Sequence, residues 1–449
     1  MVSRLGAAAA AIALTLVVGG PVHASLEVES HDRAQAPSAG SPASDLRITL
    51  GRLLGEHAYL VMESMRAVAE DRPDFDALAG GLAASTNALR GAFASVYGEA
   101  AGTAFVPIWQ QHIDALFAWA RAEAAGDKSA ADAALASLQQ YRAAFGKFLT
   151  DANPKISGDA EAHALQLHLD QLTSFVGMDY AQSFATERAA YSHMFKFGDD
   201  LARAIIAQFP DRFPDGNVAF SPRTSLRLDL GRLLGEHLVV AAQAMRAGLG
   251  ERPDMAASAA SLEANSKDLA AAIGRIFGAD AGEAFGKVWG RHLTTYLGYI
   301  EAVRDGDAAA RAESLASLHT YHTGLAEFLN TAIPALSRAD LEALISHHVS
   351  ALINQVDAAA AGDHVRTVAV TQEAYAQMFE VGDALGVAVA NQFPDRFEDL
   401  KEIPATDTAS DIGQSRDPNP LPWVVVTLSA AITCVRVTLS SSRRRDRGS

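Results

Sequence analysis

The eight residues LGRLLGEH stand at Leu50–His57 and again, unchanged, at Leu230–His237. The identity extends well beyond them. From Leu46 to Pro154 the chain matches itself without a gap 180 residues later, with about two positions in five the same. That is far above chance and marks an internal duplication. Both copies close on QFPDRF, at Gln208–Phe213 and Gln392–Phe397, where the offset has grown to 184. A chain built this way folds as one unit made twice, so whatever the first copy forms, the second must form as well.

The period inside each copy is helical. Leu46, Leu50, Leu53, Leu54, His57, Val61 and Met65 recur at the three-and-four spacing of an amphipathic helix. EDRPDF and GERPDM then break the helix, with proline expected at the first position of the next one. Gly98 and Gly278 read as helix C-caps, and Gly126-Asp127 and Gly306-Asp307 as turns. Six helices per copy follow, the last running from about Gln182 to Gln208, and no stretch alternates with period two. Aromatic residues make up only 7% of a chain that is 49% apolar and rich in alanine, a mix that favours helix. The expected fold is all-α: two tandem up-and-down bundles of about six helices each, at 45–213 and 225–397, joined by a linker at 214–224.

The ends read differently. Residues 1–24 have Arg4, an apolar run from Leu5 to Val18 and a Val22-His23-Ala24 cleavage pattern, the form of a secretory signal peptide. A polar linker follows at 25–44, and a stalk at 398–420. Residues 421–440 are mostly apolar and the tail at 441–449 carries Arg443, Arg444, Arg445 and Arg447. That order predicts a C-terminal transmembrane anchor with a cytoplasmic basic tail and the body of the protein outside the cell. With one cysteine, Cys434, no intramolecular disulfide can form. A net charge of −16 repels phosphate backbones and argues against nucleic acid as a partner.

The candidate chemistry lies in the histidines. His57, His112 and His168 fall on the inward faces of three different helices, and His237, His292 and His348 repeat them in the second copy. His193 adds a fourth to the first copy, where the second has Gln377. Imidazoles converging in a bundle core can hold a transition-metal ion, with Glu56 or Asp199 as a carboxylate ligand. Isolated histidines on apolar faces also serve as plain core residues, and the pairings usual in bundle metal sites, Glu-x-x-His or His-x-x-x-His, are missing. His319 and His322, three residues apart, could bind a metal, but Gln139 and Arg142 replace them in the first copy and they read as a solvated or cap feature. No nucleophile elbow, phosphate loop or paired carboxylates are present, so the residues favour a binding protein over an enzyme.

LRxxLGRLLGEH, a W…H pair before GD, HxxxLT, and HM…GD before QFPDRF together resemble a family of uncharacterised bacterial helical proteins. The matching positions include Glu56, His57, His112, Asn153-Pro154, His168, Leu172-Thr173, His193, Asp199 and Gln208-Phe209-Pro210. The resemblance implies an all-α fold and an exported or membrane-associated protein with no established activity. The chain departs from the pattern at Val61-Met62 and Ala241-Ala242, where the family has Thr-Arg, and near Val176 and Val356, where it has Glu. Three functions are therefore expected, in this order. The first is a surface protein binding a metal ion or small ligand, the second a structural or interaction module, and the third a metal- or haem-dependent redox enzyme.

Overall fold

The structure, a computed structural model, describes residues 40–397. The expected signal peptide, anchor and basic tail, all of the stalk, and most of the N-terminal linker lie outside the described residues. The described chain is all-α: among these residues there are thirteen α-helices and no strand. The first copy contributes α1 (Pro42–Ala69), α2 (Phe75–Tyr97), α3 (Glu99–Ala125), α4 (Lys128–Ala152), α5 (Gly158–Ser174) and α6 (Tyr180–Gln208). The second contributes α7 (Pro222–Leu249), α8 (Met255–Phe277), α9 (Ala279–Asp305), α10 (Ala308–Ala332), α11 (Arg338–Ala360), α12 (His364–Gln392) and the short α13 (Pro394–Phe397).

Local chemistry sets the boundaries. Ser41 and Ser221 accept from backbone N–H groups in the first turns of α1 and α7, and proline follows each at the start of the helix. Asp127, Asp179, Asp307 and Asp363 cap α4, α6, α10 and α12 in the same way. Gly126 and Gly306 end α3 and α9 in the left-handed conformation, which glycine adopts without a Cβ penalty. The break after α1 differs from the sequence expectation. Pro73 precedes the N-cap Asp74 instead of opening α2. The helix is ended by Asp71 at φ 50°, with the Arg72 N–H donating to the Ala67 carbonyl, and Glu251 at φ 47° does the same after α7.

Helix α1 is also not the amphipathic surface helix its spacing suggests. From Leu53 to Ala67 every residue is buried, polar ones included, and α7 is buried almost as completely from Leu233 to Gly248. A helix buried all round has neighbours on all sides. Here α1 packs on α6 and α7 on α12, and the two pairs then pack on each other. Buried apolar residues from both copies form one continuous core, so no division into two separate bundles is seen there.

Matching residues meet where the copies join. Ser44 Oγ lies 2.9 Å from Thr224 Oγ1, and the Tyr191 and Tyr375 hydroxyls are 3.1 Å apart. Phe195 and Phe379 stack at 6.0 Å with an interplanar angle of 3°, and Gln243 donates to Glu63 at 3.3 Å. Each of these pairs joins a residue to its own copy, the signature of an isologous two-fold contact. Ser44–Thr224 and Glu63–Gln243 sit near opposite ends of α1 and α7, so those helices run side by side in parallel along the pseudo-two-fold.

The glycines of LGRLLGEH make this junction. A Cβ on Gly55 would come within 2.6 Å of the Phe195 ring and 2.8 Å of the Tyr375 hydroxyl. On Gly235 it would meet Phe379 at 2.7 Å and the Tyr191 hydroxyl at 2.9 Å. Gly198 and Gly382 in turn bring α6 and α12 against the backbones at Gly51 and Gly231.

Candidate functional site

The last residue of the repeated word points away from this junction and into its own copy. His57 on α1 and His112 on α3 bring their Nε2 atoms to 3.2 Å from each other, both side chains fully buried. In the second copy His237 and His292 do the same at 3.4 Å. The third imidazole, from α5 or α11, lies beside each pair. His168 has its ring centre 6.4 Å from that of His57, and His348 lies 5.8 Å from His237. His168 and His348 are buried, and neither ring nitrogen of either residue has a hydrogen-bond partner. His57 Nδ1 and His237 Nδ1 are likewise buried without one.

The surroundings are aromatic and buried. Trp109 packs on both rings of its copy, at 4.6 Å from His57 and 4.7 Å from His112. Tyr141 stacks on His112 at 4.5 Å, and Tyr321 on His292 at 4.7 Å. Burial is therefore the main cause of the electrostatics here. It lowers His57, His168 and His237 well below the ordinary imidazole value, and neighbouring imidazoles push in the same direction. It takes His112 and His292 down to about 3, opposed in part by the carbonyls of Trp109 and Trp289. His348 is lowered to about 4. All six imidazoles are neutral near pH 7, the form that ligates metal.

The tautomer follows in the second copy. His292 Nδ1 contacts the Trp289 carbonyl, which can only accept, so the proton sits on Nδ1 and Nε2 accepts from the Nε2–H of His237, a proton that a metal ion would displace. A backbone carbonyl that fixes one ring nitrogen and turns the other inward is the usual support of a metal-ligating histidine. The Nε2 separations also match two corners of a tetrahedral nitrogen site, about 3.4 Å apart for bonds of about 2.0–2.1 Å. Among the described residues, however, no group of three or more His, Cys, Asp or Glu is disposed to hold a metal ion. The third ring stands off from the pair.

Other residues expected at the site fall elsewhere. Glu56 precedes His57, and a one-residue step along a helix turns the side chain about 100° away. It faces the other copy, accepting from Gln372 at 3.2 Å, and burial raises its pKa. Its counterpart Glu236 accepts from Arg188 at 2.9 Å. His193 comes within 6.4 Å of His168 but donates its Nε2 proton to the Ala164 carbonyl at 3.0 Å. Gln377, in the matching place, donates to His347 at 2.7 Å. Asp199 binds Arg47 through both oxygens. His319 is exposed, with the His322 ring 5.9 Å away.

Sequence reasoning missed Glu161. It is buried one stripe along α5 from Leu165, His168 and Leu172, and burial raises its carboxyl to about 8. Its spacing to His168 was the available signal. In comparisons with known proteins, no family model, curated protein or solved structure matches this chain.

Proposed function

We propose that this chain is a binding protein that takes up a transition-metal ion at the imidazole cluster of each copy. The observation that carries the reading is the facing pair of Nε2 atoms, at 3.2 Å and 3.4 Å in two copies that differ at most positions. His57 with His112, and His237 with His292, supply two ligands. His168 and His348, whose nitrogens are committed to nothing else, supply the third on turning towards the pair. An all-imidazole set suits copper, zinc or nickel and not calcium or magnesium. The cluster is buried, and the one carboxyl near it among the described residues, Glu161 of the first copy, is held protonated near neutral pH by burial, so the charge of the ion is uncompensated. A Born cost that scales with charge squared is about a quarter as large for a monovalent ion, which favours copper(I) over divalent metals. Export and a C-terminal anchor would place this capacity at the outer surface of the cell.

One observation favours a second reading, a purely structural cluster. The stand-off of the third ring and the stacking by Trp109 and Tyr141 suit neutral core packing. Elemental analysis separates the two. The purified full chain, exposed to copper(I) or zinc(II) and then dialysed, is expected to retain two ions per chain, falling to one in His57→Ala/His112→Ala. A chain that retains no metal under either exposure contradicts the proposal.

A further inference from the structure

The duplication provides an internal comparison for every position, and at one place the two copies differ in a way that leaves a buried guanidinium nitrogen, Arg246 Nη1, without a hydrogen-bond partner. In the first copy Arg66 sets its guanidinium over the Phe184 ring at 4.4 Å and over Phe175 at 5.6 Å, and it donates to Glu187 at 2.9 Å. The space around it is filled, with Met62 and Phe184 both buried. The matching arginine of the second copy is Arg246. There Val368 stands for Phe184, Ala242 for Met62 and Thr371 for Glu187. Ring, thioether and carboxylate are all lost together, and a cavity of about 430 Å³ lies beside Arg246, lined by Ala242, Val368 and Thr371 and, from the first copy, by Tyr59, Glu63 and Asp74.

The charges around the cavity select Arg246. Arg72 is held by Glu63 and Asp74, Arg252 by Glu70, and Arg304 by Asp305. Arg246 gives Nη2 to Asp254 at 2.8 Å and sets Nε 3.4 Å from Glu63, but its Nη1 is buried with no hydrogen-bond partner. An unpaired buried guanidinium nitrogen beside a recess with apolar walls at Ala242, Met245, Leu249 and Val368 is what a carboxylate with an apolar body satisfies. The carboxylate would take the role Glu187 plays for Arg66, and the body the space that Phe184 and Met62 occupy.

We propose that this cavity binds a small organic carboxylate carrying an aromatic or aliphatic group, held by Arg246. The site is separate from the imidazole clusters and stands whether or not they hold metal. The volume falls within the range of pockets that enclose a small molecule.

Calorimetric titration of the full chain with 3-phenylpropionate, 3-phenylpropionamide, hexanoate and sulfate tests it. The expected result is saturable one-to-one binding of the two carboxylates at millimolar concentration or below. The amide should bind about tenfold or more weakly, because it lacks the charge that meets the guanidinium. Thr371→Glu/Val368→Phe rebuilds the filling of the first copy and is expected to abolish binding while leaving the melting temperature equal or higher. Arg246→Gln gives an independent check should that double variant fold poorly, and it should erase the preference for acid over amide. Absence of carboxylate binding overturns the proposal, as does equal affinity for acid and amide, or carboxylate binding that survives in a folded Thr371→Glu/Val368→Phe chain. Sulfate binding as tightly as phenylpropionate overturns the organic part of the assignment.

Discussion

At the residue scale, buried ionisable groups divide into those the other copy satisfies and those it does not. Glu56 and Glu236 are answered across the junction by Gln372 and Arg188. Glu161 is not. One of its oxygens is buried without a partner, and the second copy has Leu341 in its place. Its folded pKa of about 8 lies above the ordinary glutamate value, so the folded state binds more protons than the unfolded chain between pH 4.5 and 8. Stability is therefore lost as pH rises through that window. Glu161→Leu is expected to stabilise the chain by about 4 kcal/mol at pH 8, with the gain shrinking towards pH 4.5, as followed by urea unfolding. A gain that did not depend on pH would mean that Glu161 is charged in the native state. The inward histidines were legible in the sequence because hydrophobic spacing places them on core faces, and the duplication repeats them. The direction of Glu56 was not. Its partner lies in the other copy, and period alone cannot say which residues a second unit will cover.

At the element scale, caps and turn residues made the helices readable, and the boundaries fall within a few residues of expectation. The role of α1 and α7 was hidden for a definite reason. Their spacing carries an apolar stripe, so the opposite face reads as wet. In the folded chain that face is covered by the neighbouring copy, and the glycines allow the approach. The same substitution should thus have opposite signs in two helices. Gly55→Ala is expected to cost about 1–3 kcal/mol, because its Cβ meets Phe195 and Tyr375. Gly80→Ala, where a Cβ meets nothing within 4 Å, should gain about 0.5–1 kcal/mol from helix propensity alone. Melting temperatures of the two variants decide it, and a neutral Gly55→Ala would mean that the junction is loosely packed.

At the scale of the whole molecule, the copies are joined as a symmetric dimer would be, with a linker in place of free association. The first copy cut at Gly216 would expose the Gly51, Gly55, Tyr191 and Phe195 face. Paired with itself it would regain two Glu56–Arg188 contacts and set two Glu63 side chains against each other. That fragment is expected to self-associate, and a well-folded monomer in sedimentation would contradict the packing described here. The cavity beside Arg246 and the imidazole clusters mark two ways the duplication has been used. The clusters are kept alike in both copies, and the cavity is present where the copies diverge. X-ray absorption on the copper(I)-loaded full chain is expected to show a first shell of nitrogen alone with the outer-shell scattering of about three imidazoles. A shell dominated by oxygen, or a chain that takes up no copper, would contradict metal binding at the imidazole clusters.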